Sequence, residues 1–243
     1  MELNLPKLEV TTAAADIPKR KLLFPDAQSV KGALLSGERT FGTPAASLSW
    51  GIDGSVGDEV KAGMEGEKMV AKTLAELAEK YPRAYIFHSV EWPGSVGDTD
   101  HMVVMGDTLF IIDAKRWKSS RKYSVTDKGE VMRGTVRFDE GKVKMIPAMK
   151  TWRGHLPKGV RIMGVVCVAQ EKVFVPYDEN WKKSPYKLVT NEKLIEFMDH
   201  LIKKRELADR KPDPKVLAVI MKGVVEERNR TSEIINLNAM KRK

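Results

Sequence analysis

Hydrophobic spacing along this chain changes at Asp58, and the change divides it. The segment VKAGMEGEKMVAKTLAELAEKY places Val60, Met64, Met69, Val70, Leu74, Leu77 and Ala78 near helical spacing, with charges between them. That pattern predicts an amphipathic helix, which Pro82 ends. Three β-type stretches follow, Ala84 to Val90, His101 to Met105 and Thr108 to Ala114. Gly106-Asp107 between the last two is a short-hairpin signal. A second hairpin is predicted from Lys122 to Val136, with turns at Asp127-Lys128-Gly129 and Arg133-Gly134.

Beyond it the pattern predicts a short helix from Met145 to about Arg153, with Pro147 near its start. Val160 to Ala169 reads as a buried strand and Lys172 to Val175 as its partner. Leu188 to Thr190 reads as a short edge strand. Asn191 is placed to cap a helix running to about Asp209, with Leu194, Ile195, Phe197, Met198, Leu201 and Ile202 inward. Pro212-Asp213-Pro214 breaks it, and a last helix runs to about Arg228. Helix, strands, helix, strands, helix is the order of an α/β fold with a mixed sheet flanked by helices.

Residues 1–57 are rich in Ala, Ser, Thr, Gly and Pro, with scattered apolar residues and no sustained period. They read as an extension, partly irregular, that drapes across the domain or binds a protein partner. The resulting division is an extension over 1–57, a domain over 58–209, and a helix with a basic tail, Lys241-Arg242-Lys243, over 210–243. Lys19-Arg20-Lys21 in the extension reads as a solvated charge cluster, with phosphate contact as the alternative.

The informative chemistry lies in Asp98-Thr99-Asp100-His101 and Leu109-Phe110-Ile111-Ile112-Asp113-Ala114-Lys115. Side chains at i and i+2 of a strand share a face, so Asp113 and Lys115 point together. A hairpin at Gly106-Asp107 brings Asp100 beside Asp113 at the sheet end. Two converging carboxylates share a proton or bind a cation. Hard oxygen ligands with room for water suit Mg²⁺, or Mn²⁺, which bridges to substrate phosphate. Lys115 is placed to orient the metal-bound water or to offset charge in the transition state. Glu67, in Gly63-Met64-Glu65-Gly66-Glu67, is within reach if both glycines allow the helix close to the sheet. Asp98 is a reserve ligand. The competing reading is two solvated hairpin carboxylates with Lys115 as a salt-bridge partner, worth ~0–1 kcal/mol. The apolar run from Leu109 to Ile112 weighs against it, because it marks a central strand.

G-x-x-G-E on a helix, then D-H followed by two apolar residues, then I-I-D-A-K-R-W, resembles the nuclease-related domain, NERD, of the PD-(D/E)XK nuclease superfamily. The resemblance covers about Val60 to Lys204, with its specific motifs between Gly63 and Trp117. It implies a restriction-endonuclease-like core, a central mixed sheet flanked by helices. It also implies a metal-dependent nuclease in which Glu67 is the helical acid, Asp100 the first metal ligand, and Asp113 with Lys115 the (D/E)-x-K pair. Relatives more often carry Glu where this chain has Asp113. The Gln found after the sheet in many of them has no counterpart in Met145 to Arg153.

Charge fits that implication. Lys plus Arg number 42 against 33 Asp plus Glu, a formal +9, and each phosphate neutralised releases counterions. Arg116, Lys118, Arg121 and Lys122 follow the active strand, with Trp117 and Tyr123 interleaved. This loop is expected to lie along DNA, with Trp117 either packing on sugar or base or covering the core. His101 points away from the metal face by alternation, and His88, His155 and His200 lack ligand spacing. Trp152 reads as core.

The lone Cys167, in an apolar run, reads as a buried strand residue, and a single cysteine suits a reducing compartment. No phosphate-binding loop and no paired C-x-x-C occurs. No secretory signal and no apolar run near 18 residues is present, so the expectation is a cytoplasmic protein with no membrane partner. Two functions fit these residues. One is a Mg²⁺- or Mn²⁺-dependent nuclease acting on DNA. The other is a non-catalytic nucleic-acid-binding or assembly module on a nuclease-like fold.

Overall fold

The computed structural model describes residues 20–49, 57–95, 97–138 and 143–227. Six strands form its central sheet: β1 (Thr40–Phe41), β2 (Tyr85–Glu91), β3 (Asp98–Met105), β4 (Thr108–Lys115), β8 (Arg161–Val168) and β9 (Lys187–Thr190). They lie in the order β1-β2-β3-β4-β8-β9. Strands β2, β3 and β4 pair antiparallel. β4, β8 and β9 are parallel, and β1 joins β2 in parallel. A small second sheet is built from β5 (Tyr123–Val125), β6 (Val131–Arg133) and β7 (Val136–Arg137). It enlarges the expected 122–136 hairpin by one strand, with Gly129 supplying a positive φ of 84° at its first turn.

Helices cover both faces. α3 (Asp58–Lys80) and α6 (Asn191–Lys204) lie on one side. There Val70, Leu74 and Leu77 meet Val103, Phe110, Ile112 and Val165, with Leu194, Met198 and Ile202 completing the cluster. The other face carries α4 (Met145–His155), α7 (Pro214–Met221), α1 (Ala27–Leu35) and the small sheet. Trp152, Leu217 and Ile220 pack there on Met102, Leu109 and Ile111. A short helix, α5 (Glu179–Lys183), leads into β9. β4 is thus buried on both faces. Its Leu109 to Ile112 run has at most 1% exposure, and each such side chain contributes roughly 1.5–3 kcal/mol. A mixed sheet between helical layers is the arrangement of a restriction-endonuclease-like core.

Several expectations are corrected. Lys172 to Val175 does not pair with β8. Both flanks of β8 are taken by β4 and β9, as its fully buried Val165 to Val168 require. Phe174 instead bridges Lys122. Asn191 is the first residue of α6, the N-cap position falling to Thr190 with no side-chain cap hydrogen bond, and the helix stops at Lys204, not Asp209. α7 stops at Met221, short of Arg228. Its exit is fixed because Gly223 and Val225 turn back to hydrogen-bond Glu91 and Ser89 of β2. Residues 228–243, including the basic tail, lie outside the described residues, as does Lys19.

The N-terminal segment is more regular than its composition suggests. Asp26 caps α1 through a reciprocal box with Ser29, β1 extends the main sheet, and a one-turn helix, α2 (Ala46–Ser49), follows. Leu22 bridges Val225, so both ends of the described chain meet beside β2. Among the described residues no helix is long and apolar enough to cross a membrane.

Candidate active site

Pairing between β3 and β4 runs from Met105–Thr108 to His101–Ile112. The next facing position belongs to Asp100 and Asp113. Both side chains fall on the face of Met102, Leu109 and Ile111, because alternation is strict along each strand. Asp100 Oδ2 accepts from the Ala114 N–H at 2.7 Å, so this carboxylate engages β4 where strand pairing stops. Asp113 Oδ1 accepts from Lys115 Nζ at 2.8 Å. Asp113 Oδ2 is buried without a hydrogen-bond partner.

Glu67 comes from α3, where it is 4% exposed. Its Oε2 accepts from the Ala45 N–H at 2.9 Å. At Gly66 α3 runs close to the sheet: a Cβ there would stand 3.4 Å from the Cβ of Arg116 and 3.7 Å from that of Ala169, ordinary contact that does not itself demand glycine. Gly63 does not serve the sheet approach as expected; its open side faces Leu48 at 3.6 Å.

The four groups share one electrostatic neighbourhood. Burial raises the Asp100 carboxyl well above the ordinary range, and Glu67 and Asp113 push it further. Burial lifts Glu67 to about 7, with the Ala45 N–H opposing and Asp98 adding to the rise. Burial disfavours the Lys115 ammonium, but Asp113 and Asp100 outweigh it and hold its pKa above the usual lysine value. Glu67, Asp100, Asp113 and Lys115 line one cleft of about 720 Å³, together with Asp98 and Trp92.

The remaining sequence candidates fall around this cleft. Asp98 lines it but is paired with Arg20 at 3.4 Å. Arg20 also meets Glu91 and Lys21 meets Glu226, so these two cations serve ion pairs. His101 lies on the α3 face, its Nδ1 2.8 Å from that of His88. Burial and His88 hold it far below the usual histidine range, and it is a neutral structural group. Cys167 is fully buried, and burial raises its thiol pKa, which removes it as a nucleophile.

Lys118, Arg121 and Lys122 are exposed, Lys118 lining the cleft and the other two beside it. Arg116 is also exposed, but its guanidinium is held by Glu65 and by Gln170 Oε1. Trp117 is 8% exposed. Its ring lies 4.8 Å from that of Tyr123 and 5.2 Å from that of Phe138, so it covers the core and is not a free platform for a base. Arg133 and Lys144 also line the cleft, contributed by β6 and by the residue before α4. Nothing in their local sequence signalled this, because the small sheet and α4 reach the cleft only through tertiary packing.

A family model described as NERD, nuclease-related domain, matches residues 62–169. This stretch belongs to the NERD family. The NERD domain runs from the first turns of α3 to the residue after β8 and contains Glu67, Asp100, Asp113 and Lys115. Residues 20–49, which supply the Ala45 N–H, lie outside it. No curated protein and no solved structure matches the chain.

Proposed function

We propose that this chain is a divalent-metal-dependent nuclease that hydrolyses phosphodiester bonds of DNA. The observation that carries this reading is Asp113 Oδ2, a buried carboxylate oxygen with no hydrogen-bond partner, on a residue that lines one cleft with Asp100 and Glu67. An oxygen left so costs free energy unless something binds it, and a hard cation fits. Asp100 and Asp113 would hold Mg²⁺ or Mn²⁺, with Glu67 beside them. Among the described residues no three Asp, Glu, His or Cys groups form a ready-made metal cage. When bound, the ion supplies Lewis acidity at the scissile phosphate and acidifies water.

The chain's own groups do the rest. The Lys115 ammonium, held charged by Asp113 and Asp100, offsets negative charge gathering on the phosphate oxygens. Glu67, lifted to about 7, can accept or release a proton near neutral pH. Arg121 and Lys122, with Arg116 and Lys118 lining the cleft itself, provide a basic rim for the phosphate backbone.

The test is a cleavage panel of linear, circular, nicked, branched and single-stranded DNA with Mg²⁺ and Mn²⁺, run beside Asp113→Asn. Metal-dependent cleavage lost in the variant is expected. Cleavage that persists in excess chelator, or in Asp113→Asn, sinks the reading. Binding without cleavage on every substrate favours the non-catalytic module instead.

A further inference from the structure

We propose that the turn Gly42–Ala45, which leads into α2 outside the NERD domain, is the positioning element for Glu67, so that activity depends on a segment the domain does not contain. This rests on the nuclease reading above. The Ala45 N–H donates to Glu67 Oε2 at 2.9 Å in a buried setting, from 22 positions away in the chain. Ala45 holds φ at +64°, a conformation alanine avoids. Such outliers persist where the surroundings over-determine them, and they gather at functional sites.

The surroundings here do so. Thr40 and Phe41 pair with Ile86 and Phe87 of β2, and the Phe41 and Phe87 rings stack at 5.4 Å. Gly42 passes so close to β2 that an added Cβ would lie 2.5 Å from the His88 carbonyl oxygen. Ser89, itself at φ +50°, donates from its hydroxyl to the Thr43 carbonyl at 3.0 Å. Ala45, Ala46 and Ser47 are each 1% exposed, and Ser47 and Leu48 line the cleft. The loop is anchored on both sides of one N–H, and that N–H is spent on the acid at the cleft. A carboxylate buried this deeply has few orientations once a fixed donor holds one oxygen, and its other oxygen is then turned by that hold.

The experiment compares Ala45→Pro, which removes the N–H and cannot adopt φ +64°, with Ala45→Gly, which keeps the N–H and tolerates that φ. Each is made in the full chain, with Glu67 intact and with Glu67→Ala. Single-turnover cleavage is read together with hydrogen exchange at the Ala45 amide in metal-free protein. Ala45→Gly is expected within about twofold of the parent. Ala45→Pro is expected to lose about tenfold or more in the maximal single-turnover rate with the half-saturating concentration little changed, and to lose nothing further when Glu67 is already Ala. Exchange at Ala45 should quicken about tenfold or more in Glu67→Ala. If Ala45→Pro fails to fold, Ser89→Ala loosens the same loop and should show the same dependence on Glu67.

An equal loss in both backgrounds, or full activity in folded Ala45→Pro, overturns the proposal. If the parent cleaves no DNA, the nuclease reading fails on its own. Amide exchange then still decides the clamp: coupling to Glu67 upholds it, and unchanged exchange overturns it.

Discussion

Asp100 Oδ2 accepts the Ala114 N–H at 2.7 Å, one position beyond the last β3–β4 pair. The carboxylate therefore does a strand's hydrogen bonding while standing at the cleft. Burial, then Glu67 and Asp113, raise its proton affinity, so the fold disfavours its charged form.

Asp100→Asn retains an acceptor for Ala114 and removes the repulsion. In chelator this variant is expected to melt no lower than the parent, while its DNA cleavage falls about 100-fold or more. A clear drop in melting temperature would show that the charge, and not the acceptor, holds β3 to β4.

Glu67 gives a pH signature. Its carboxyl titrates at about 7 in the fold against 4.5 ordinarily. Between those values the folded chain keeps a proton the unfolded chain has released. This stability is therefore fully present below about pH 4.5 and is lost as pH rises through about 7. His88, lowered to about 4 by burial, acts oppositely between about 4 and 6.5, so the difference between parent and Glu67→Gln is the quantity to read. Metal-free Glu67→Gln should gain on the parent from pH 5 to pH 8, by on the order of 3 kcal/mol at most. Parallel melting curves across that range would refute the assignment.

Divalent binding should itself stabilise the fold. At about 100 times the dissociation constant, Mg²⁺ or Mn²⁺ adds about 2.7 kcal/mol, read as a rise in melting temperature. Asp113→Asn should abolish that rise. An equal rise in the variant would place the ion elsewhere.

Trp117 and the basic rim separate stability from binding. Trp117→Ala opens a cavity against Tyr123 and Phe138 and should cost roughly 3–5 kcal/mol of stability. Arg121→Ala with Lys122→Ala should leave the melt nearly unchanged and weaken DNA binding. The salt dependence of binding should flatten by about one unit for each phosphate that is no longer neutralised. A melt unaffected by Trp117→Ala would return that ring to the nucleic-acid interface.

Much of this site was legible because its parts are local and periodic. The hairpin signal at Gly106-Asp107 and strand alternation together place Asp100 opposite Asp113 and Asp113 beside Lys115, and the register agrees. The Leu109 to Ile112 run marks a central strand because only a strand buried on both faces tolerates such continuous hydrophobicity. Element ends were less legible. α6 and α7 stop where the chain loops onward or turns back to bond with β2, and such long-range bonding leaves no local trace.

By itself, the sequence determined the α3 helix, the three antiparallel strands and the acid-acid-lysine grouping, since periods of 3.6 and 2 fix which side chains share a face. Only the tertiary structure decided that the N-terminal segment joins the sheet, that Trp117 is packed away, and that the Ala45 N–H reaches Glu67. A backbone amide carries no residue-specific signature, and a two-residue strand such as β1 is too short to show a period. These interactions join residues far apart in the chain, and they exist only once the sheet has brought their partners together.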